Sequence, residues 1–159
     1  MKKIYLGSDH AGFELKKQLE EYFDKSGVWY EDLGAFELEP DDDYPDFAAK
    51  VASQVKKNRS MGILICGSSL GVCLTANKFK GVYAVSVHNE EEAKLSREHN
   101  DANILCLSGG QTKAKTSLGL SFNQAKKIVA VWLKTKPGRA TRHQKRIRKI
   151  KKIENLNLK

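Results

Sequence analysis

Cys66 stands where the apolar run Met61-Gly62-Ile63-Leu64-Ile65 breaks into Gly67-Ser68-Ser69-Leu70-Gly71. An apolar run, a cluster of small residues and then a helical period over Gly71–Phe79 predict a buried strand, a turn and a helix. A thiol at the mouth of such a turn faces unpaired backbone N–H groups and the positive end of the helix dipole. Both stabilise a thiolate, and both can hold an oxyanion that forms beside it. A base and an anion cradle are thus offered within six residues. The plainer alternative is a small buried cysteine beside an ordinary strand–helix turn, because unpaired cysteine is among the most buried residue types.

Two other clusters carry side chains able to move protons. Asp9-His10-Ala11-Gly12 follows the apolar run Lys3–Leu6 and precedes a helical pattern. Asp9 there is either a helix N-cap or, with His10, a carboxylate–imidazole pair in a crevice. His99-Asn100-Asp101-Ala102-Asn103 precedes the run Asn103–Leu107. A histidine in a polar loop is often merely solvated. His99, however, lies at the opposite strand end from Asp9, His10 and Cys66, so one pocket holds all of these groups only if a neighbouring subunit supplies some of them.

The elements that position these clusters alternate. Strand-like pieces are expected at Lys3–Leu6, Val28–Leu33, Gly62–Cys66, Val82–Val87 and Asn103–Leu107, and helical periods at Phe13–Ser26, Pro45–Lys57, Gly71–Phe79 and Glu90–His99. Such β-α-β-α alternation implies a parallel sheet with helices on both faces, whose ligands sit beyond the carboxyl ends of the strands. Asp9 and His10 follow the first strand, Cys66 the third and His88 the fourth. The acidic stretch Pro40-Asp41-Asp42-Asp43-Tyr44-Pro45 reads as a loop with a solvated surface. Beyond Gly109-Gly110 come a helix over Leu120–Lys134, a turn at Lys136-Pro137-Gly138, and a basic helix at about 139–154. There Ile147, Ile150 and Ile153 mark an apolar face beside Arg142, Arg146 and Lys149. That combination suits docking on the body or on another subunit. No internal repeat and no second domain are evident over residues 1–159.

A chain of 159 residues suits one domain with a proper core. No window approaches the ~20 apolar residues of a membrane span. The first apolar stretch is too short for a signal peptide, so a cytoplasmic protein with no membrane partner is expected. Three cysteines without a CxxC pair argue against a disulfide scaffold and against a structural zinc. Charge is uneven: residues 1–110 carry 13 Lys+Arg against 18 Asp+Glu, whereas residues 111–159 carry 15 against Glu154 alone. Such a segment must meet anions. A nucleic-acid partner is disfavoured, since Arg139–Lys159 contains no aromatic residue for base stacking and purely electrostatic binding is weak and salt-sensitive.

Six motifs occur in one order: Asp9-His10-Ala11-Gly12, Tyr44-Pro45-Asp46-Phe47-Ala48, Cys66-Gly67-Ser68, Ala76-Asn77-Lys78, Leu95 through Asn103, and Arg142-His143…Arg146. From about residue 3 to residue 150 the chain resembles the ribose-5-phosphate isomerase B family, which also holds the galactose 6-phosphate isomerases. The resemblance implies a Rossmann-like three-layer α/β domain with a five-stranded parallel sheet and a C-terminal helical extension. It also implies a homodimer whose pockets are each completed by the partner, with pairing of dimers into a tetramer left open. The implied reaction interconverts ribose 5-phosphate and ribulose 5-phosphate through a cis-enediolate, a step of the pentose phosphate pathway, with no metal and no organic cofactor.

The same resemblance makes Cys66 the base; the family's other branch uses a Glu at the position of Val72. His99, from the facing subunit, would help open the furanose ring. Asp9 and His10 would contact the substrate, Gly67, Ser68, Ser69, Leu70 and Gly71 would cradle the enediolate oxygens, Asn100 would hydrogen-bond the sugar, and Arg142 and Arg146 would bind the phosphate. Three positions depart from the family pattern: Ser69 replaces a glycine, Gln111 an arginine, and Tyr83 a frequent arginine. Lys113 or Lys115 would make up for the arginine missing at Gln111. These departures leave a hexose 6-phosphate, such as allose or galactose 6-phosphate, as the alternative substrate. A non-catalytic nucleic-acid-binding protein is the remote alternative.

Overall fold

The computed structural model describes residues 3–110 and 118–158. Gln111, Lys113 and Lys115, expected to bear on phosphate binding, lie outside the described residues. The elements run β1 (Ile4–Ser8), α1 (Phe13–Ser26), β2 (Tyr30–Asp32), α2 (Tyr44–Asn58), β3 (Met61–Cys66), α3 (Leu70–Ala76), β4 (Ala84–Ser86), α4 (Glu90–Asn100), β5 (Ile104–Ser108), α5 (Phe122–Lys134) and α6 (Thr141–Asn157), with a 3₁₀ turn over His10–Gly12 before α1. The five strands form one parallel sheet in the order β2-β1-β3-β5-β4.

Alternation along the strands sorts the core into two layers. Ile4 and Leu6 of β1, Ile63 and Ile65 of β3, and Leu105 and Leu107 of β5 pack against Leu15, Leu19 and Phe23 of α1 and Ile128, Val129 and Trp132 of α5. The intervening residues Tyr5, Leu64, Cys66, Ile104 and Cys106 face Ala48, Val51, Ala52 and Val55 of α2 and Val72 and Ala76 of α3. A period of two in the strands and 3.6 in the helices gives each element one side for each layer. The parallel sheet with helices on both faces is what the alternating pattern implies, and it makes the three-layer, Rossmann-like α/β architecture that the resemblance implies.

Expected and observed boundaries differ most at the edges. The outer strands span only Tyr30–Asp32 and Ala84–Ser86 because each has a ladder on one side only. Helix α3 stops at Ala76 rather than Phe79: the Asn77 amide bonds both the N–H and the carbonyl of Ala84, drawing the chain out of the helix and onto β4. Helix α5 begins after Ser121, which forms a capping box with Gln124. Helix α2 starts at Tyr44, with Pro45 in its first turn, where a missing N–H costs nothing. The acidic stretch departs furthest from expectation. Asp42 is not part of a solvated surface: its side chain is only 11% exposed and is paired with His10.

Candidate active site

Strands β1 and β3 are neighbours, and from this pair the chain proceeds outward to β2 on one side and to β5 and β4 on the other. The carboxyl ends at such a switch point leave a crevice. A cavity of about 320 Å³ opens there, lined by Asp9, His10, Ala11, Pro40, Tyr44, Cys66, Gly67, Ser68 and Gly71. Close backbone packing shapes its walls. A Cβ on Gly12 would lie 2.6 Å from the Ile65 carbonyl oxygen, so only glycine lets the turn after β1 press onto β3. A Cβ on Gly71 would lie 2.5 Å from the Tyr44 ring, which therefore rests on the start of α3.

Asp9 is both an N-cap and a pocket residue. Its carboxylate accepts the Gly12 N–H at 3.0 Å, yet burial raises its pKa above the ordinary 3.8, with the nearby Asp42 adding to the shift. His10 is held by one atom of Asp42: Oδ1 accepts the His10 backbone N–H at 2.9 Å and lies 2.6 Å from Nδ1. Cys66 is 4% exposed at the end of β3, and its carbonyl accepts the Gly109 N–H at 2.8 Å, tying the turn to the end of β5. The Ser108 hydroxyl donates to the Gly67 carbonyl at 2.5 Å. The first N–H groups of α3 have no partner inside the helix and open beside this cavity.

Ser69 and Leu70 belong to the same turn but do not line the cavity. Ser69 is fully buried with φ 67°, the left-handed conformation that favours glycine, and its hydroxyl lies 2.5 Å from that of Ser86. Leu70 projects outward, 56% exposed.

The remaining expected site residues sit elsewhere. His99 and Asn100 end α4, at the amino-terminal edge of the sheet, and six residues of β3 at ~3.3 Å each put on the order of 15 Å between that edge and Cys66. The end of α4 is firmly held: buried Arg97 donates to Asp101 at 2.9 Å and to the Ala102 carbonyl at 2.5 Å, and lies over the Trp132 ring. His99 stacks on His143 of α6, with ring centroids 3.9 Å apart and planes 8° from parallel. The Arg142 Nε–H donates to His143 Nε2 at 3.2 Å. Burial, then the electrostatic influence of His99, Arg142 and Arg146, pushes the His143 imidazole below its ordinary 6.5, in keeping with a ring nitrogen that accepts. Arg142 and Arg146 are exposed, and neither has an ion-pair partner among the described residues.

The expected site residues therefore fall into two clusters on one chain: Asp9, His10 and Cys66 at one end of the sheet, and His99, Asn100, Arg142 and Arg146 at the other. Asp42 and His143 emerge as members of them that the residue types alone did not single out. The sequence signal for Asp42 is slight, an acid among acids. His143 sits between the two arginines of a motif already noted. A larger cavity of about 670 Å³ opens near Arg59, Ser60, Lys80, Tyr83 and Glu154. It lies at the amino-terminal ends of the strands, and both of its lining carboxylates are paired, Asp101 with Arg97 and Glu154 with Gly81 and Tyr83. Asp9, His10 and Asp42 bring three possible ligand atoms within 4.8 Å of one another, but Asp42 Oδ1 and Asp9 Oδ1 are engaged by His10 and Gly12.

Known proteins resemble this chain over nearly its whole length. The protein called "Probable ribose-5-phosphate isomerase B" of Mycoplasma genitalium is 44% identical, covering 95% of each chain. Ribose-5-phosphate isomerase B of Escherichia coli is 39% identical over 97% of each. Among solved structures, ribose-5-phosphate isomerase B from Mycoplasma genitalium with bound ribulose-5-phosphate matches with a TM-score of 0.86 at 42% identity, covering 96% of both chains. The Clostridium thermocellum enzyme matches at 0.86 and 40%, covering 97% of this chain and 98% of that one. The family model described as Ribose/Galactose Isomerase matches residues 4–150, and the chain belongs to that family.

Proposed function

We propose that the protein interconverts ribose 5-phosphate and ribulose 5-phosphate, with Cys66 as the base. The observation that carries this reading is a thiol at the end of β3, beside Asp9 and His10, in a cavity at the switch point of the sheet. Removing the C2 proton of the open-chain aldose leaves charge on the C1 oxygen; moving the O2 hydroxyl proton to O1 and returning the carbon proton to C1 gives the ketose. Fixed donors at the developing enediolate matter most to that barrier. The turn from Gly67 to Gly71 offers its N–H groups there, and no metal or organic cofactor is required. Such an enzyme takes a phosphorylated sugar as substrate and serves a cytoplasmic step of the pentose phosphate pathway.

The distance between the two clusters supports a homodimer in which His99, Asn100, Arg142 and Arg146 of one subunit complete the pocket of the other. Apolar side chains flank both halves: Leu70 and Leu74 on α3, and Ile150, Ile153 and Leu156 on α6, are 42–76% exposed in the single chain. Across the dimer, His99 moves the proton that opens the furanose ring, Asn100 bonds a sugar hydroxyl, and the two arginines meet the phosphate dianion. Spaced at i and i+4, their planar guanidinium groups converge on one ligand.

The test is ketose formation from ribose 5-phosphate by the purified protein, read together with solvent deuterium at the transferred position. Full activity in Cys66→Ala would sink the mechanism. A hundredfold higher kcat/KM for allose or galactose 6-phosphate would replace the substrate with a hexose phosphate.

A further inference from the structure

The geometry points to Asp42 as a positioning residue that fixes the His10 ring, committing Nδ1–H to the carboxylate and leaving Nε2 as the ring nitrogen available to a ligand in the cavity. An ionised carboxylate only accepts hydrogen bonds. With Asp42 Oδ1 already accepting the His10 backbone N–H, the 2.6 Å contact assigns the proton to His10 Nδ1. The same oxygen accepts the His10 backbone N–H at 2.9 Å, so ring and main chain are gripped at one point and the side chain cannot turn over without losing a bond. The carboxylate is well placed for this. Its side chain is 11% exposed, against 29% for His10, and shielding from water strengthens a charge-assisted bond.

The loop itself is braced. Asp42 donates its own N–H to the Glu39 carbonyl, and two residues later Tyr44 opens α2 and lies against Gly71. Pro40 and Tyr44, on either side of Asp42, line the cavity together with His10. The acidic loop thus belongs to the site through its effect on a histidine, although Asp42 itself is not among the lining residues. Three other titratable groups face the same space: Asp9, whose carboxyl is turned to the Gly12 N–H, Cys66 and Tyr44.

The choice of ring nitrogen decides what His10 offers the substrate. With Nδ1–H engaged, neutral His10 presents a lone pair at Nε2 and accepts a hydroxyl, and protonated His10 presents Nε2–H to an oxyanion. Without Asp42 the ring is free to rotate and to change tautomer, so a share of the molecules presents the wrong group.

The experiment uses ¹⁵N-labelled full-length protein at alkaline pH, with long-range ¹H–¹⁵N spectra of the imidazoles. His10 is assigned from the signals lost in His10→Ala. In the parent protein the His10 pattern is that of the Nδ1–H tautomer. Asp42→Ala shifts it to the Nε2–H form or a mixture, and Asp42→Asn, which keeps an acceptor oxygen, restores Nδ1–H. The kinetic arm rests on the isomerase reading. Asp42→Ala raises KM for ribose 5-phosphate about tenfold with a smaller change in kcat, and the same substitution in a His10→Ala background has no further effect. An unchanged tautomer in Asp42→Ala, or additive losses in the double variant, would overturn the assignment. Because the ring-nitrogen readout needs no turnover, it decides the matter even if the substrate proves to be a different sugar.

Discussion

The two clusters are built by opposite means. Cys66, Asp9 and His10 sit on strand ends, in turns pressed together by Gly12 and Gly71, and each is partly or wholly withdrawn from water. His99, Arg142 and Arg146 sit on helices, and the two guanidinium groups reach into solvent. Groups that handle protons gain from a fixed, poorly solvated setting, because preorganised donors act most strongly where the dielectric is low. Groups that capture a dianion gain from reach and from keeping their charge available until the ligand arrives. On the dimer reading the division is also spatial: the carbon-to-carbon proton transfer stays in the subunit's own sheet, and ring opening and phosphate capture are lent to the partner by α4 and α6.

Breaking the proton-handling half should cost most. Removing a positioned general base typically costs 10²–10⁴-fold, so Cys66→Ala should lower kcat by about a thousandfold while the phosphate-dependent KM changes little. His99→Ala should impair the opposite half on the same axis. If the two halves meet across subunits, equal amounts of the two inactive variants, mixed and allowed to exchange, should recover about a quarter of parental activity, since half the dimers then hold one intact pocket. Absence of any recovery in mixed dimers would restrict the site to one chain and dissolve the contrast.

Weakening the capture half should show in KM. A charge-assisted hydrogen bond contributes roughly 1.5–3 kcal/mol, so Arg142→Ala and Arg146→Ala should each raise KM for ribose 5-phosphate about ten- to a hundredfold. Added salt should raise KM in the parent more than in the variants, because the exposed charges are screened. A fall in kcat at unchanged KM would place these arginines in the chemistry instead.

A smaller effect tests whether the buried half sacrifices stability for function. Asp9 has its pKa raised by burial, so the fold disfavours its charged form. The stability tied to the neutral carboxyl is fully present below the unfolded-state value and is lost as pH rises through the raised native value. Asp9→Asn keeps an acceptor for the Gly12 N–H without the charge. It should therefore raise Tm at neutral pH while lowering activity, and the gain in Tm should shrink as pH falls through the native value toward 3.8. A variant less stable than the parent at pH 7 would show that the Gly12 bond outweighs the burial cost.

How much of this was legible in the sequence follows the same division. The layers were readable because alternation in β1, β3 and β5 and the 3.6 period in α1 and α2 are written in local residue order. The places of Cys66 and Asp9 at strand ends were readable for a related reason: strand ends are also marked locally, by glycines and serines. Edge strands were overextended, since a ladder's length depends on a neighbour distant in sequence. Asp42 was misread because its partner is 32 residues away and nothing nearby distinguishes it from Asp41 or Asp43. The apolar face of α6 was seen but its covering was not, and Ile150, Ile153 and Leu156 remain exposed in the single chain.

Ser69 offers the finest test, because it sits in the rigid half at a position where the family pattern has glycine. Its left-handed backbone, φ 67° and ψ −18°, costs a residue with a Cβ about 1–2 kcal/mol relative to glycine. Its hydroxyl also bonds the Ser68 carbonyl and pairs with Ser86, a contribution of about 1 kcal/mol that Ser69→Gly would forfeit. The single variant should therefore be nearly neutral in stability. Ser69→Gly combined with Ser86→Ala removes both partners, leaves no orphaned hydroxyl at Ser86, and keeps the relief of backbone strain. That pair should raise Tm by about 2–4 °C for each kcal/mol recovered, with little change in kcat. If the double variant instead loses stability, the serine pair holds α3 to β4, and the cradle beside Cys66 depends on side-chain bonding as much as on backbone shape.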